Sequence, residues 1–597
     1  MGAMLKKRSE IEEKYKWNLD DMIPSQEALD TLLREAEEKI AAYETYKGTL
    51  GSSAQRLADF LRLDVELDEI FSRLSSFARQ KSDEDTSVGE YQALLSKVNI
   101  LAVKAGEASA FAEPEILAIP ADAMQCFLET EELAHYRLLL KRILARKEHM
   151  LTEAEEKILS AVSEVAQAPN NIFRLFNNAD IKFPAITGED GEMVEVTHGR
   201  YIRLLESKDR RVREDAFHAF YSVFSQFANT VAATYESNLK QACFFAKTRK
   251  YSSSREYYLS ANEIPELVYD NLLKAVEDRM DLLHRYVKIR KEMLGVDELH
   301  MYDLYVPLVA DYDENVTYEE AQELILEGLK PLGEEYLGIL KTGFESRWID
   351  VYENQGKRSG AYSNSVYGVH PYVLMSFNGG MSSALTLAHE MGHALHSWYS
   401  GHAQEATYAH YKIFVAEVAS TCNEILMLRH LIAHAKTKEE KMFLINQMLE
   451  KFRGTFFRQA MFAEFEWKTH QMCWNGTPLT KDVLCSLYHD LNVKYFGDEM
   501  VVDSDIDFEW ERIPHFYRPF YVYQYSTGFA AATAVAGKIL SGDQQALEGY
   551  FEFLKGGCSM TPIELLKLCG LDMEKPDVVN EALDVFEALL DELEACK

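Results

Sequence analysis

The stretch Thr386-Leu-Ala-His-Glu-Met-Gly-His-Ala-Leu-His-Ser-Trp-Tyr399 decides how this chain is read. Within it His389, Glu390 and His393 form H-E-x-x-H. At about 3.6 residues per turn, positions i and i+4 share one helix face a turn apart, so both imidazoles can reach one ion. Neutral imidazole nitrogens suit Zn2+. Glu390 sits one position further round, where it can take a proton from water beside that ion without ligating it. The motif is short enough to arise by chance, so its setting matters. Ser382 and Ser383 are N-cap residue types ahead of an apolar run with helical spacing, and Gly401 is a plausible stop, which places the motif mid-helix.

A tetrahedral site needs a third protein ligand. His396 returns to the same face but lies about 10 Å along the axis from His389, too far for both to hold one ion. It reads better as a hydrogen-bonded core residue near the site. Glu417 lies in the apolar run Phe414-Val-Ala-Glu-Val-Ala-Ser-Thr-Cys-Asn-Glu424. An unpaired carboxylate there would be costly, and coordinating a metal removes that cost. Glu424, seven residues on, shares its face and is placed to orient a ligating histidine. Cys422 could add a soft ligand, but a small buried apolar role fits it better.

With these residues in place, a resemblance emerges. H-E-M-G-H followed by F-V-A-E-V-A-S is similar to the thimet-oligopeptidase-like zinc metallopeptidases. Within them, Gly356-Lys-Arg-Ser-Gly-Ala-Tyr-Ser363, Met375-Ser-Phe-Asn-Gly-Gly380, Trp17-Asn-Leu-Asp20 and His515-Phe-Tyr-Arg-Pro-Phe-Tyr-Val-Tyr-Gln-Tyr525 resemble the oligoendopeptidase F group. These segments span nearly the whole chain. The resemblance implies a mainly α, multi-helical zincin-like metallopeptidase, with a small β-sheet at the active site and a deep substrate channel between two helical halves. It implies one Zn2+ per chain, held by His389, His393 and Glu417, and cleavage of internal bonds in short unfolded oligopeptides. His515 and Tyr523 match the family's oxyanion donors. The His-to-Tyr spacing is shorter than in thimet relatives, which leaves Tyr517, Tyr521, Tyr523 and Tyr525 open as the acting hydroxyl. Tyr372, Met375, Phe377, Gly379, Gly380 and Tyr521 are the implied substrate contacts, with Tyr372–Phe377 a strand whose free edge could pair with an extended peptide.

Composition narrows the classes. The chain has 597 residues, 47% hydrophobic and 27% charged, an ordinary globular balance. A net charge of −33 argues against nucleic-acid and anionic-membrane partners, which need Lys and Arg in excess. Eight scattered cysteines without C-x-x-C read as reduced thiols, so the cytoplasm is the expected compartment. The basic N-terminus lacks the apolar core of a secretory signal, no run is long enough to span a membrane, and Met1-Gly2-Ala3 reads as a cloning remnant ahead of Met4. The oligomeric state is not legible.

Along the chain, residues 20–170 carry helical periodicity without a chemical motif. Segments 179–186 and 192–197 flank Gly188-Glu-Asp-Gly191 as a β-hairpin. Helical pattern resumes at Tyr201 with the aromatic stripe Phe217, Phe220, Tyr221 and Phe224. The expected division is therefore a helical N-terminal region, 1–200, and a catalytic region, 201–597. Two other classes stay open. A peptide-binding protein without catalysis would have no need of Glu390. A zinc aminopeptidase would need a site for a free amine, and no G-x-M-E-N-like motif is present.

Overall fold

The computed structural model describes residues 5–309 and 315–597; Met1–Ala3 lie outside them. The chain is mainly α-helical, with seven short strands among the described residues. It divides into two compact units, and each is built from three separated stretches. The first comprises Met1–Glu153, Glu314–Met427 and Gly542–Thr561; the second comprises Ala154–Asp313, Leu428–Ser541 and Pro562–Lys597. The expected boundary near residue 200 thus falls inside the second unit.

In the first unit, helices Gln26–Ala42 and Ala54–Glu84 start where the sequence supplies serine caps. Ser25 Oγ accepts from Ala28 N, and Ser53 Oγ accepts from Arg56 N. Each cap satisfies one N–H that the helix itself leaves unpaired. Leu29, Leu33, Leu57, Phe60, Leu61 and Leu74 turn inward at helical spacing and pack with Trp17, Tyr372 and Leu374 in one core. Tyr372 and Leu374 come from a three-stranded sheet of order Ile349–Asp350, Tyr372–Leu374, Tyr362–Asn364. The first pair is parallel and the second antiparallel.

That order corrects one expectation. Tyr372–Leu374 has a neighbour on both sides, and Met375 N and Phe377 N continue the pairing by donating to Asp350 O and Val351 O. Its edges are used, and Tyr372, Met375 and Phe377 are buried. The sheet's two outer strands are Ile349–Asp350 and Tyr362–Asn364, each with one side unpaired to another strand, and Tyr362–Asn364 packs against the helix carrying the motif.

The second unit is organised on a 39-residue helix, Arg210–Thr248, capped by Asp209. Phe217, Phe220, Tyr221 and Phe224 are all buried on it, so the aromatic stripe is core. Tyr201 stacks on Phe220 at 3.9 Å. The hairpin is present but shorter than expected, pairing Ala185–Thr187 with Met193–Glu195, and Gly191 takes the left-handed φ of 81° that its turn requires.

Candidate metal centre and active site

The motif helix runs Gly380–Ala403. Its N-cap is Gly379 at φ 88°, so Ser382 and Ser383 lie inside the first turn; Ser383 Oγ donates to Asn378 Oδ1 at 2.6 Å. Gly401 does not stop the helix, which continues to Ala403. The helix that carries Glu417, Ile413–Ala433, crosses it closely. A Cβ built on Gly392 would lie 2.5 Å from Ser420 Cα and 2.8 Å from Ala419 O, so only glycine fits at this position. Asn423 bridges the two elements, its Nδ2 donating to Ala388 O at 3.2 Å while its Oδ1 accepts from Tyr336 OH at 2.9 Å.

This crossing brings Glu417 to the two histidines. Glu417 Oε2 is 3.3 Å from His389 Nε2 and 3.6 Å from His393 Nε2, and one ligand atom from each residue lies within 4.8 Å of the others. Ligands at about 2.0–2.1 Å around one tetrahedral ion stand roughly 3.3–3.4 Å apart. The donor set and its spacing therefore fit a divalent metal. Ser420 Oγ donates to Glu417 Oε2 at 3.2 Å, and His389 Nδ1 lies 2.6 Å from Glu424 Oε1, which fixes the ring with Nε2 facing the cluster. Burial alone would favour neutral His389, but Glu417 and Glu424 outweigh it and raise its pKa to about 10. Burial likewise opposes ionised Glu417, yet the two imidazoles hold its carboxyl well below the usual range.

Glu390 is 7% exposed. Burial pushes its pKa up, with His389 and His393 opposing, which moves a carboxylate toward the range of a useful general base. His396 is not part of the ligand group. It is buried and stacked on Tyr411 at 3.7 Å, and burial followed by His393 holds its pKa down to about 3, so it stays neutral. Cys422 is fully buried and outside the group too.

The remaining candidates lie in the second unit. His515 Nε2 is 3.3 Å from Tyr525 OH, and its ring lies parallel to Tyr521 at 5.9 Å. Tyr521 and Tyr525 meet edge to face at 5.5 Å. Tyr523 is not in this group. It opens the helix Tyr523–Leu540, turns inward at 1% exposure and packs on Tyr269 at 4.9 Å. Two residues on, the helix places Tyr525 on a different side, so the hydroxyl that meets His515 is that of Tyr525 and not of Tyr523. Tyr517 stacks on Phe173 at 4.2 Å and is core. Sequence reading missed Gly392, Asn423 and the strand Tyr362–Asn364; only Gly392 had a signal, as the small residue within the motif.

A helical protein that converges two imidazoles and a carboxylate beside a buried glutamate is a metallopeptidase in class. The comparisons agree. The model of peptidase family M3 matches residues 203–585, and that of oligopeptidase F matches 115–183. The chain is 47% identical over 588 residues to oligopeptidase PepF of Bacillus subtilis, covering 98% of this chain and 88% of the relative. A solved structure from Chlamydophila abortus superposes with a TM-score of 0.93 at 32% identity, covering 100% of both chains. The oligoendopeptidase-F structure from Enterococcus faecium gives 0.76 at 38% identity, covering 95% of this chain and 98% of that one. The chain belongs to peptidase family M3 and, within it, to the oligoendopeptidase F group. It is a metalloendopeptidase, and no helix among its described residues is long and apolar enough to cross a membrane.

Proposed function

We propose that this chain is a zinc endopeptidase that hydrolyses internal bonds of short, unfolded peptides. The observation that carries the proposal is the convergence of His389 Nε2, His393 Nε2 and Glu417 Oε2 next to buried Glu390. His389, His393 and Glu417 would hold one zinc per chain, and two imidazoles with one carboxylate leave a position open, as catalytic sites do. The ion would supply Lewis acidity and bring the pKa of water toward neutrality. Glu390 takes the proton from the attacking water and returns it to the leaving amine. Glu424 holds His389 in the tautomer whose Nε2 faces the site. His515, with Tyr525 or Tyr521, donates to the oxyanion of the tetrahedral intermediate.

The free edge of Tyr362–Asn364 is the surface for the peptide backbone, since backbone pairing there does not depend on the peptide's side chains. Gly379 and Gly380, partly exposed between sheet and motif helix, remain candidates for substrate contact. The buried Tyr372, Met375 and Phe377 act by supporting that edge.

The test is mass spectrometry of products from a library of short peptides, half of them N-acetylated, with chelator and then with zinc restored. Internal cleavage of both halves, lost with chelator and regained with zinc, is expected. Full activity in verified metal-free protein, or cleavage confined to free N-termini, would overturn the reading.

A further inference from the structure

The second unit holds a largely buried charge cluster that this reaction does not use. Its cations are Arg290, Arg453, Arg458 and Arg512, and its carboxylates are Glu450 and Glu509. Glu450 accepts from Arg453 Nη2 at 2.6 Å and Arg290 Nη1 at 3.0 Å. Glu509 accepts from Arg458 Nη2 at 2.5 Å, Arg512 Nη2 at 3.3 Å and Tyr488 OH at 2.6 Å. Among the described residues, four guanidiniums therefore share two carboxylates, a surplus of two positive charges. Asp303 cannot make up the difference, because it is engaged by Arg210 and Arg213.

Arg290 and Arg453 are almost wholly enclosed, while Arg458 and Arg512 keep 19% and 17% of their side chains exposed, so the surplus is largely away from water, where an accompanying anion lowers its cost. Arg453, Arg458 and Arg512 line a cavity of about 20 Å3 together with Tyr305 and Glu509. That volume suits one particle of about the size of a water molecule. Arg512 Nε, shut off from solvent, has no hydrogen-bond partner. Leaving a charged N–H unpaired in such a place costs its full desolvation penalty. Tyr305 reports the same field: burial alone would raise its phenol pKa, yet Arg458, Arg453 and Arg512 hold it below the usual value.

We propose that this cavity binds one small monovalent anion of the halide class between Arg453, Arg458 and Arg512, with Arg512 Nε–H among its donors. A space that admits about one water-sized particle favours a monatomic anion over tetrahedral phosphate or sulfate. Asn492 Oδ1 is an unpartnered acceptor in the same lining, so water is the competing occupant. Arg512 ends the turn Ser504–Arg512 and His515 lies in the next, Pro514–Tyr517, so the ion would anchor the root of the His515 segment.

The test uses the full chain exchanged into gluconate buffer free of halide. Crystals grown with bromide should show an anomalous peak within hydrogen-bond distance of Arg512 Nε. Thermal unfolding should shift up saturably, by about 2 °C or more, with chloride or bromide over gluconate at equal ionic strength. Both signals should vanish in Arg512→Met; if that variant does not fold, the wild-type crystal decides alone. A bromide-free cavity, or a peak only at surface arginines, which is an adventitious ion only, overturns the proposal. So does a thermal shift that gluconate reproduces.

Discussion

At the residue scale, the proposed chemistry depends on Glu390, a carboxylate next in sequence to His389 and outside the candidate metal group. Glu390→Gln keeps the volume and removes the base, so kcat should fall by roughly 10²–10⁴-fold with metal content unchanged. Metal analysis alongside kinetics checks this, and a metal-free variant would make Glu390 a ligand. The tyrosines make a second residue-scale comparison. Tyr525→Phe or Tyr521→Phe should lower kcat by about 10²–10³-fold with little change in KM, because each loses a donor to the developing oxyanion. Tyr523→Phe should leave kcat nearly intact, since its ring is packed on Tyr269 in the core. A kcat loss confined to Tyr523→Phe would make Tyr523 the donor and remove Tyr525 and Tyr521 from the mechanism.

At the scale of elements, the site exists because two helices approach closely enough for Glu417 to reach His389 and His393. Gly392 permits that approach, and the atoms a side chain would strike are backbone, which cannot rotate away. Gly392→Ala should push Ile413–Ala433 outward and carry Glu417 with it. Metal affinity should drop by at least roughly 10–100-fold, as when a group that orients a ligand is lost. The overpacking should also cost about 1–3 kcal/mol. Competition with a chelator and thermal unfolding measure the two effects. Unchanged metal affinity would show that the helices can part without moving the ligand.

At the scale of the whole molecule, stability rests on buried charge pairs as well as on apolar cores. Asp303 is fully buried, accepting from Arg213 Nη2 at 2.8 Å, Arg210 Nη2 at 2.9 Å and His300 N at 3.1 Å. Burial alone would raise its pKa, but these donors outweigh it and the folded value is lowered. The unfolded chain then binds more protons in the acid range, so this contribution is complete above the unfolded pKa of about 3.9 and fades as pH falls through the lower folded value. Asp303→Asn should cost about 3–5 kcal/mol at neutral pH, because Arg213 is left buried without its partner. The penalty should shrink below about pH 4. Urea unfolding across that range tests the sign, and a penalty that grew with acid would contradict it.

The sequence by itself determined the family, the helical fold class and much of the local structure around the candidate site. H-E-x-x-H at helical spacing, a carboxylate stranded in the apolar run Phe414–Ala419 and serine caps ahead of amphipathic helices are local patterns, and local patterns survive without a fold. The contact of Glu424 with His389 was also legible, because the same spacing puts it on the face of Glu417. Tertiary structure decided what depends on neighbours distant in the chain. Ser382 and Ser383 are good caps by type, yet Gly379 and Gly380 set the helix start, at φ 88° and 78°. Tyr372–Phe377 reads as an edge strand until Ile349–Asp350 and Tyr362–Asn364 occupy its two sides. Tyr523 and Tyr525 are alike in composition and context. The packing of Tyr269 against one and His515 against the other tells them apart, and no spacing within the segment carries that information.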